Sequence, residues 1–365
     1  MTRPLINYTN DNVSYKTYSN VVALPHKSDP NGWGIGGIID ASGEYIVDSG
    51  FHSYWISFGG GYDLSSSDLE KLEGKVIWFG IFTEHWGHFL LDNISRLWIL
   101  NKEEFSSLKV VYVSKSGKEM SNNFSEFLYK LGVEKKNLIF LKRPTHLSEV
   151  VIPEYSKNDL NYNDQFLSIF NFVYKKKTPN QKLKKVYFSR TNFPDAKLKE
   201  YGEKQLENIF RRNGYHIFYP EDLSLDQQIE IWSTAEDIVC INGTIPLNIC
   251  FCGYNNPNIT VLNKTLLPHE NLDDLSIIFN KRVDYVDIYI ESYASKVKSI
   301  GKGPFIIGLT DSLEVFFNKK EIEFNKSELI SPSILLKRFV FFHISSFRLK
   351  LIQFIKLFLY SWRKK

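Results

Sequence analysis

Two histidines and an aspartate are spaced so that one helix face would carry all three. His85, His88 and Asp92 stand at positions i, i+3 and i+7 of a segment predicted to be helical, and residues three or four apart on a helix are neighbours. A carboxylate at Asp92 would orient the His88 imidazole and raise its basicity, as a general base requires. Glu84 is a rival for that role. The alternative is a His–Asp pair that only stabilises the start of the helix.

A second group of polar residues follows two predicted strands. Residues 186–188 form a short β-rich run that ends on Ser189 and Arg190, whose guanidinium offers a planar pair of donors to anionic oxygens. Residues 238–241 are uninterrupted apolar residues, typical of a strand buried on both faces, and lead into Asn242-Gly243-Thr244. A strand, a glycine turn and a helix start bring free backbone N–H groups together. The 242–244 loop is therefore predicted to bind an anion.

The surrounding pattern predicts the elements that position these residues. In the second half, a helix over about 196–213 ends at Gly214, a strand covers 215–219, and Ser224 is the predicted N-cap of a helix over 225–235. In the first half, strands are predicted at 76–79, 110–113, 138–141 and 150–152. A loop leading into a helix is predicted over 83–100, and helices are predicted at 122–131 and 164–173. Short strands are expected at 304–307 and 315–317. The alternation predicts two α/β domains, 1–174 and 181–330, joined by a polar linker at 175–180.

Several of these motifs follow one another along the chain in a recognisable order. The first block is Trp86-Gly87-His88-Phe89-Leu90-Leu91-Asp92-Asn93, and the later ones are Tyr187-Phe188-Ser189-Arg190, Gly214-Tyr215, Pro220-Glu221, Leu225-Asp226-Gln227-Gln228-Ile229, Ala235, Ile238-Val239, Gly243, Asn248 and Phe251. Over roughly residues 37–261 this order resembles glycosyltransferase family 61, which includes bacterial capsule and lipopolysaccharide transferases. The chain departs from the family at Asn242-Gly243-Thr244, where His-Gly-Ala is usual, and at Gly202-Glu203, where Asn-Glu is usual.

The resemblance implies an α/β fold of two Rossmann-like domains (GT-B type) and a reaction. A sugar would pass with inversion from a nucleotide-sugar donor to an acceptor, without a metal or cofactor, with His88 as the base and Asp92 and Glu84 beside it. Donor contacts are expected from Ser189, Arg190, Glu203, Asn242, Gly243, Thr244 and Asn248. Three alternatives stay open: Arg190 as a surface residue, Glu203 on a solvated helix face, and Asn248 orienting the loop. No Asp-x-Asp follows an apolar strand, so no metal site is predicted.

Composition limits the functional classes. The chain has 365 residues, of which 43% are hydrophobic, so two domains with sizeable cores are expected. Three cysteines, Cys240, Cys250 and Cys252, lie in apolar segments and are predicted to be buried free thiols in a reducing compartment. The first residues are polar and give no secretory signal pattern.

Basic and acidic residues are unevenly distributed along the chain. Glu328 is the last acidic residue, and eight of the 45 Lys and Arg residues follow it. The remainder has 37 basic against 41 acidic residues, a net of −4. This balance argues against a nucleic-acid-binding face outside the tail.

The tail itself predicts an amphipathic helix. Apolar residues recur every three or four positions along one narrow face at Leu336, Val340, Ile344, Phe347, Leu351, Phe354, Phe358 and Trp362, and Lys337, Arg338, Arg348, Lys356 and Arg363 cluster on the other side. A basic amphipathic helix of this kind lies in the interface of an anionic membrane. The predicted segment is 331–365, with membrane contact through 333–365. The alternative is a helix packed on the body or on a partner chain.

The resemblance implies a metal-independent, inverting glycosyltransferase, and together with the basic tail it predicts a role in surface polysaccharide biosynthesis. Its acceptor would be a glycan or a lipid-linked precursor, and the protein would be cytoplasmic and peripheral on the inner face of the cell membrane. The alternatives are an inactive homologue that binds a nucleotide or glycan, and a membrane-peripheral scaffold of a polysaccharide assembly complex. Donor hydrolysis or sugar transfer would distinguish the transferase from both alternatives. Nucleotide binding would distinguish the inactive homologue from the scaffold.

Overall fold

The computed structural model describes residues 7–9, 12–29, 33–53, 56–64, 69–158, 161–174 and 183–363. The chain divides into two compact units, Met1–Thr178 and Pro179–Lys365. The predicted linker at 175–180 lies outside the described residues. The C-terminal tail belongs to the second unit, because its first turns make contacts there.

The first unit has twelve strands in its described residues, and seven of them form its main mixed sheet. Its strands are β1 (Asn7–Thr9), β2 (Tyr15–Lys27), β3 (Ile35–Ile39), β4 (Tyr45–Ile46), β5 (Phe51–Ser53), β6 (Ile56–Phe58), β7 (Glu70–Phe82), β8 (Lys109–Ser114), β9 (Leu138–Phe140), β10 (Thr145–Pro153), β11 (Lys157–Asn158) and β12 (Asn161–Asn163). Its helices are α1 (Trp86–Leu91), α2 (Asn123–Lys130) and α3 (Asp164–Tyr174), with 3₁₀ helices at Val47–Ser49, Asn93–Asn101, Glu103–Phe105 and Lys135–Asn137.

The strand order of that sheet is β4-β3-β2-β10-β7-β8-β9. The four strands from β10 to β9 run parallel, whereas β4, β3, β2 and β10 pair antiparallel. An α/β composition is confirmed, but a Rossmann-like first domain is not, because half of the sheet is antiparallel. Long-range pairing of β2 with β10 produces this mixture, and no local periodicity could have revealed it.

The second unit contains a parallel sheet in a doubly wound order. Its strands are β13 (Lys185–Phe188), β14 (Glu200–Tyr201), β15 (His216–Phe218), β16 (Asp237–Ile241), β17 (Asn258–Asn263), β18 (Val283–Asp287) and β19 (Phe305–Ile306). Its helices are α4 (Pro194–Lys197), α5 (Glu203–Arg212), α6 (Leu225–Thr234), α7 (Glu270–Ile278), α8 (Glu291–Ala294), α9 (Asp311–Lys319), α10 (Ser327–Ile330) and α11 (Pro332–Arg363), with 3₁₀ helices at Pro220–Asp222 and Ile245–Phe251.

Five of these strands form the main sheet, in the order β15-β13-β16-β17-β18, and all are parallel. This is the order of open doubly wound sheets, which place ligands at the carboxyl ends of their strands. The apolar run at 238–241 is confirmed as the central strand β16, buried along its whole length. Ser224 caps α6 as predicted, in a reciprocal capping box with Gln227.

Two predictions of local structure are wrong. The helix expected over 196–213 is interrupted: α4 ends at Lys197, β14 pairs with β19, and α5 begins only at Glu203. Gly202 makes the break with φ of 110°, and a Cβ there would lie 2.5 Å from the carbonyl oxygen of Ile307. The strand expected at 315–317 lies inside helix α9. A strand in the 304–307 region is confirmed as β19.

Candidate functional site

Three neighbouring strands of the second unit end in polar residues at one sheet edge. Ser189 and Arg190 follow β13, Asn242 and Gly243 follow β16, and Lys264 follows β17. Because β13 pairs with β16 and β16 with β17, all in parallel, these strand ends are adjacent. The two stretches that the sequence singled out separately are therefore brought together.

Glu200 holds two cationic side chains at this edge. Arg190 Nε lies 3.2 and 3.3 Å from the two carboxylate oxygens of Glu200, and Lys264 Nζ lies 2.7 Å from Oε1 of the same carboxylate. The side chains of Glu200 and Lys264 are both 2% exposed, whereas Arg190 is 17% exposed. The three residues form a buried ion cluster that is open to solvent at Arg190.

The protonation states leave this cluster with excess positive charge. Burial alone would raise the pKa of Glu200, but Lys264 and Arg190 bring it below its usual range. Burial raises the pKa of Glu203 to about 8, with a further contribution from the Glu200 charge. At neutral pH Glu203 therefore keeps its proton. Burial lowers the pKa of Lys264, while the Glu200 carboxylate acts in the opposite direction. With Arg190 and Lys264 both charged, two cations stand against one carboxylate.

Gly243 leaves open the space beside the two cations. A Cβ at this position would lie 3.6 Å from Arg190 Nη1 and 3.7 Å from Lys264 Nζ. Apart from the neighbouring residues 242 and 244, no other atom of the described residues would lie within 4 Å of it. The carbonyl of Gly243 accepts a 2.6 Å hydrogen bond from His269 Nε2, while His269 Nδ1 accepts from the amide of Leu272. Burial lowers the pKa of His269, in agreement with this neutral tautomer. The loop is thereby fixed with its glycine facing Arg190 and Lys264.

A chain of amides fixes the residue before Gly243. Asn242 Nδ2 donates to Asn263 Oδ1 over 3.0 Å, and Asn263 Nδ2 donates to Asp287 Oδ1 over 2.9 Å. An ionised carboxylate only accepts, so Asp287 determines which way both amides face. The predicted helix after the loop is a short 3₁₀ helix, Ile245–Phe251.

Three residues that were predicted to contact the donor are hydrogen-bonded to other residues of the second unit. Ser189 Oγ donates to Glu207 over 2.9 Å, and Glu203, only 3% exposed, accepts the Arg190 amide over 2.6 Å. Asn248 is buried and donates to Gln228 over 3.0 Å. The carboxyl of Glu203 is buried and holds the backbone of Arg190, and Asn248 contacts helix α6. Donor contact by these residues stays a prediction.

The first unit carries the histidine group on α1. His85 is the N-cap, and its Nδ1 accepts from the amide of His88. His88 Nδ1 lies 3.1 Å from Asp92 Oδ2, so the predicted i, i+4 contact is confirmed. Asp92 is buried and also contacts Lys157 Nζ at 3.5 Å. Glu84 is exposed and precedes the helix.

The His88–Asp92 contact fixes the tautomer of the imidazole. With Nδ1–H donated to the carboxylate, Nε2 is the basic nitrogen of the ring. The His88 side chain is 26% exposed and that of Asp92 is 4% exposed, so the imidazole is presented outward on a buried support. This geometry suits a proton acceptor.

Residues 86–260 match the family model described as Glycosyltransferase 61. This match covers just under half of the chain and supports glycosyltransferase family 61. No curated protein matches the chain in sequence. The family match supports sugar transfer as the activity, with a nucleotide-sugar donor and an acceptor as substrates.

The family 61 segment contains His88, Asp92, Arg190 and the 242–244 loop. It does not reach Lys264, which sequence reasoning also missed. Glu200 and Lys157 were missed as well, because each acts through a contact more than 60 residues away: Lys264 for the first and Asp92 for the second. A lysine directly after a buried strand end was the one available signal for Lys264. Within the described part of the chain, no group of three or more His, Cys, Asp and Glu could hold a metal ion.

Proposed function

We propose that this protein transfers a sugar with inversion and without a metal, using the Arg190–Lys264 edge for the donor and His88 as the base. The observation that carries the donor assignment is the pair of cations beside Gly243, opposed by one ionised carboxylate. A nucleoside diphosphate is the leaving group of such a donor, and its oxygens match the guanidinium and ammonium groups in charge.

The proposed reaction is a direct displacement at the anomeric carbon of the donor. The acceptor hydroxyl oxygen attacks the anomeric carbon while the bond from that carbon to the diphosphate oxygen breaks. The electron pair of the broken bond stays on the diphosphate, where Arg190, Lys264 and the backbone amides of Gly243 and Thr244 stabilise it. The hydroxyl proton passes to His88 Nε2, and Asp92 stabilises the resulting imidazolium.

Surface polysaccharide assembly is the proposed setting of this reaction. We infer a glycan or lipid-linked acceptor at the inner face of a bacterial cell membrane, with capsule or lipopolysaccharide as the product. The resemblance to transferases of those pathways and the basic C-terminal helix support this setting. Thermal-shift screening against common nucleotide sugars would identify the donor.

A pair of substitutions tests the two roles independently. Arg190→Ala removes a charge-assisted contact, so nucleoside diphosphate affinity should fall by about 1.5–3 kcal/mol. His88→Ala should keep that affinity but reduce transfer by roughly 10²–10⁴-fold. Calorimetric titration and a transfer assay measure the two effects.

Matched controls are available for both variants. Arg212 is half-exposed and pairs with Glu328 on the surface, and His216 is exposed, so Arg212→Ala and His216→Ala should change neither quantity. Unaltered diphosphate affinity in Arg190→Ala would reject the donor assignment. Full binding without any transfer or donor hydrolysis by the wild-type protein would favour the inactive homologue.

A further inference from the structure

Helix α11 has two sides with different surroundings. On the inner side, Arg338, Phe342 and Ser345 are 3, 6 and 6% exposed. Arg338 donates to the carbonyl of Leu329 in the preceding helix α10, and the Phe342 ring packs 4.8 Å from that of Tyr293. This side is part of the packing of the second unit.

The outer side carries the apolar stripe, defined here as Leu336, Val340, Ile344, Phe347, Leu351 and Phe354. These six side chains are between 44 and 69% exposed. At about 100° per residue they project opposite the packed inner side, over roughly 27 Å of helix. The expected stripe is thus present and uncovered in this chain, while Phe358 and Trp362 lie outside the described side chains. A continuous exposed stripe of this length marks an interaction surface.

The charges beside the stripe all have one sign. Lys337 and Arg348 lie along one flank and Lys350 along the other, and all three are exposed. No acidic residue follows Glu328. Arg338, which the sequence pattern grouped with these basic residues, faces inward instead and is buried. The surface is therefore apolar in the middle and cationic on both edges.

We propose that this stripe inserts into the headgroup–acyl boundary of an anionic lipid membrane, with α11 lying along the surface. In the described residues no helix is both long and apolar enough to cross a membrane. An apolar face flanked by lysine and arginine is the pattern of helices that lie in the interface plane. Anionic headgroups complement both cationic flanks.

A second copy of the chain is a poorer occupant for the stripe. Two such helices packed stripe to stripe would bring Lys337, Arg348 and Lys350 of each copy near those of the other. Neither helix offers a carboxylate to compensate. Lipid removes the apolar surface from water without this repulsion.

The inner side of α11 connects this surface to the donor edge, which is the group of strand ends that carries Arg190 and Lys264. Phe341 packs against Tyr201 with ring centroids 5.4 Å apart. Tyr201 follows Glu200, the residue that holds Arg190 and Lys264, in the two-residue strand β14. Membrane contact through the outer side would hold the unit that carries the donor cations at the lipid surface. A lipid-linked acceptor would be presented there, and this consequence rests on the proposed function, whereas membrane binding itself does not.

Vesicle sedimentation of the full chain tests the proposal. Wild-type protein should bind vesicles of phosphatidylcholine with phosphatidylglycerol, bind pure phosphatidylcholine more weakly, and dissociate as salt rises, because the charge attraction is screened. Phe347→Glu combined with Phe354→Glu should weaken binding to the anionic vesicles by at least about tenfold. Phe347→Leu with Phe354→Leu keeps the apolar surface and should bind like the wild type. All these side chains are exposed, so melting temperatures should not change.

A charge variant separates lipid from other occupants. Lys337→Gln with Arg348→Gln and Lys350→Gln should lose the preference for anionic vesicles while keeping the apolar contact. Wild-type protein that ignores anionic vesicles would overturn the proposal. So would a glutamate variant that changes only from dimer to monomer in light scattering, which would assign the stripe to a second copy. Nucleoside diphosphate affinity should be the same in every variant, so failure here is distinct from failure of the transferase assignment.

Discussion

At the residue scale, Glu203 combines a buried position with a neutral carboxyl. Its carboxyl accepts the Arg190 amide and lies near Tyr187 and Ser189. An ionised Glu203 would cancel the positive excess at the donor edge. The burial that raises its pKa to about 8 therefore preserves the charge that Arg190 and Lys264 present to an anion.

The raised pKa of Glu203 predicts how stability depends on pH. Between about pH 4.5 and pH 8 the folded protein keeps a proton that the unfolded chain has lost. The free energy of unfolding should therefore fall as pH rises through this window. Glu203→Gln keeps a neutral acceptor and should remove the fall, gaining on the order of 1–3 kcal/mol over the wild type at pH 8. Urea denaturation across the window measures this, with the exposed Glu104→Gln as control. A parallel pH profile for Glu203→Gln and wild type would contradict the assignment.

At the scale of elements, the break at Gly202 creates the donor edge. Helix α4 ends at Lys197, and Gly202 ends the non-helical stretch 198–202 before α5 begins. In this stretch β14 pairs with β19 and Glu200 contacts Arg190 and Lys264. A continuous helix over 196–213 would leave both cations without this carboxylate. The same glycine puts Glu203 at the start of α5, behind the Arg190 backbone.

Two glycine substitutions separate backbone strain from this close approach. Gly202 and Gly214 both have positive φ, 110° and 80°, but only Gly202 has a backbone atom where its Cβ would lie. Gly214→Ala should cost about 1–2 kcal/mol of stability from the backbone alone. Gly202→Ala should cost at least about 1 kcal/mol more, through the clash with Ile307. It should also weaken nucleoside diphosphate binding, because β14 carries Glu200. Equal melting temperatures for the two variants would show that the approach of Ile307 is relieved without cost.

At the scale of the whole molecule, the acidic residues and the buried residues of the C-terminal tail end at different positions. The charge division comes after Glu328, where the acidic residues stop. The packing division comes about 17 residues later along α11, after the buried Ser345. The first turns of α11 are thus part of the second unit, whereas the described side chains of Phe347, Arg348 and Lys350 are exposed.

Two truncations distinguish these two parts of the tail. Deleting 347–365 leaves Arg338, Phe342 and Ser345 in place, so the protein should melt like the full chain, lose vesicle binding and still use a water-soluble acceptor. Deleting 333–365 removes the buried Phe342 and the cap on Leu329, and should cost at least about 2 kcal/mol of stability. Calorimetry and sedimentation of the two proteins measure both effects. A 333–365 deletion that melts like the full chain would show that the inner side contributes nothing to folding.

The sequence by itself determined the features that depend on neighbours in the chain. The apolar run of β16, the N-cap at Ser224 and the His88–Asp92 contact follow from spacing over at most a few helical turns. These are confirmed because strand burial, helix capping and i, i+4 contacts are set by local geometry. The buried free cysteines are confirmed for the same reason, since they lie in apolar segments.

Only the tertiary structure decided the residues that meet from distant parts of the chain. Pairing of β14 with β19 joins residues about 105 positions apart, and it determines both the break at Gly202 and the ion cluster of Glu200 with Lys264. The antiparallel half of the first sheet depends in the same way on β2 meeting β10. Helical periodicity continues through a single glycine in the sequence, so it could not show that Gly202 is a boundary. Burial of Glu203 is likewise a property of what packs over it, and the charge at the donor edge follows from that packing.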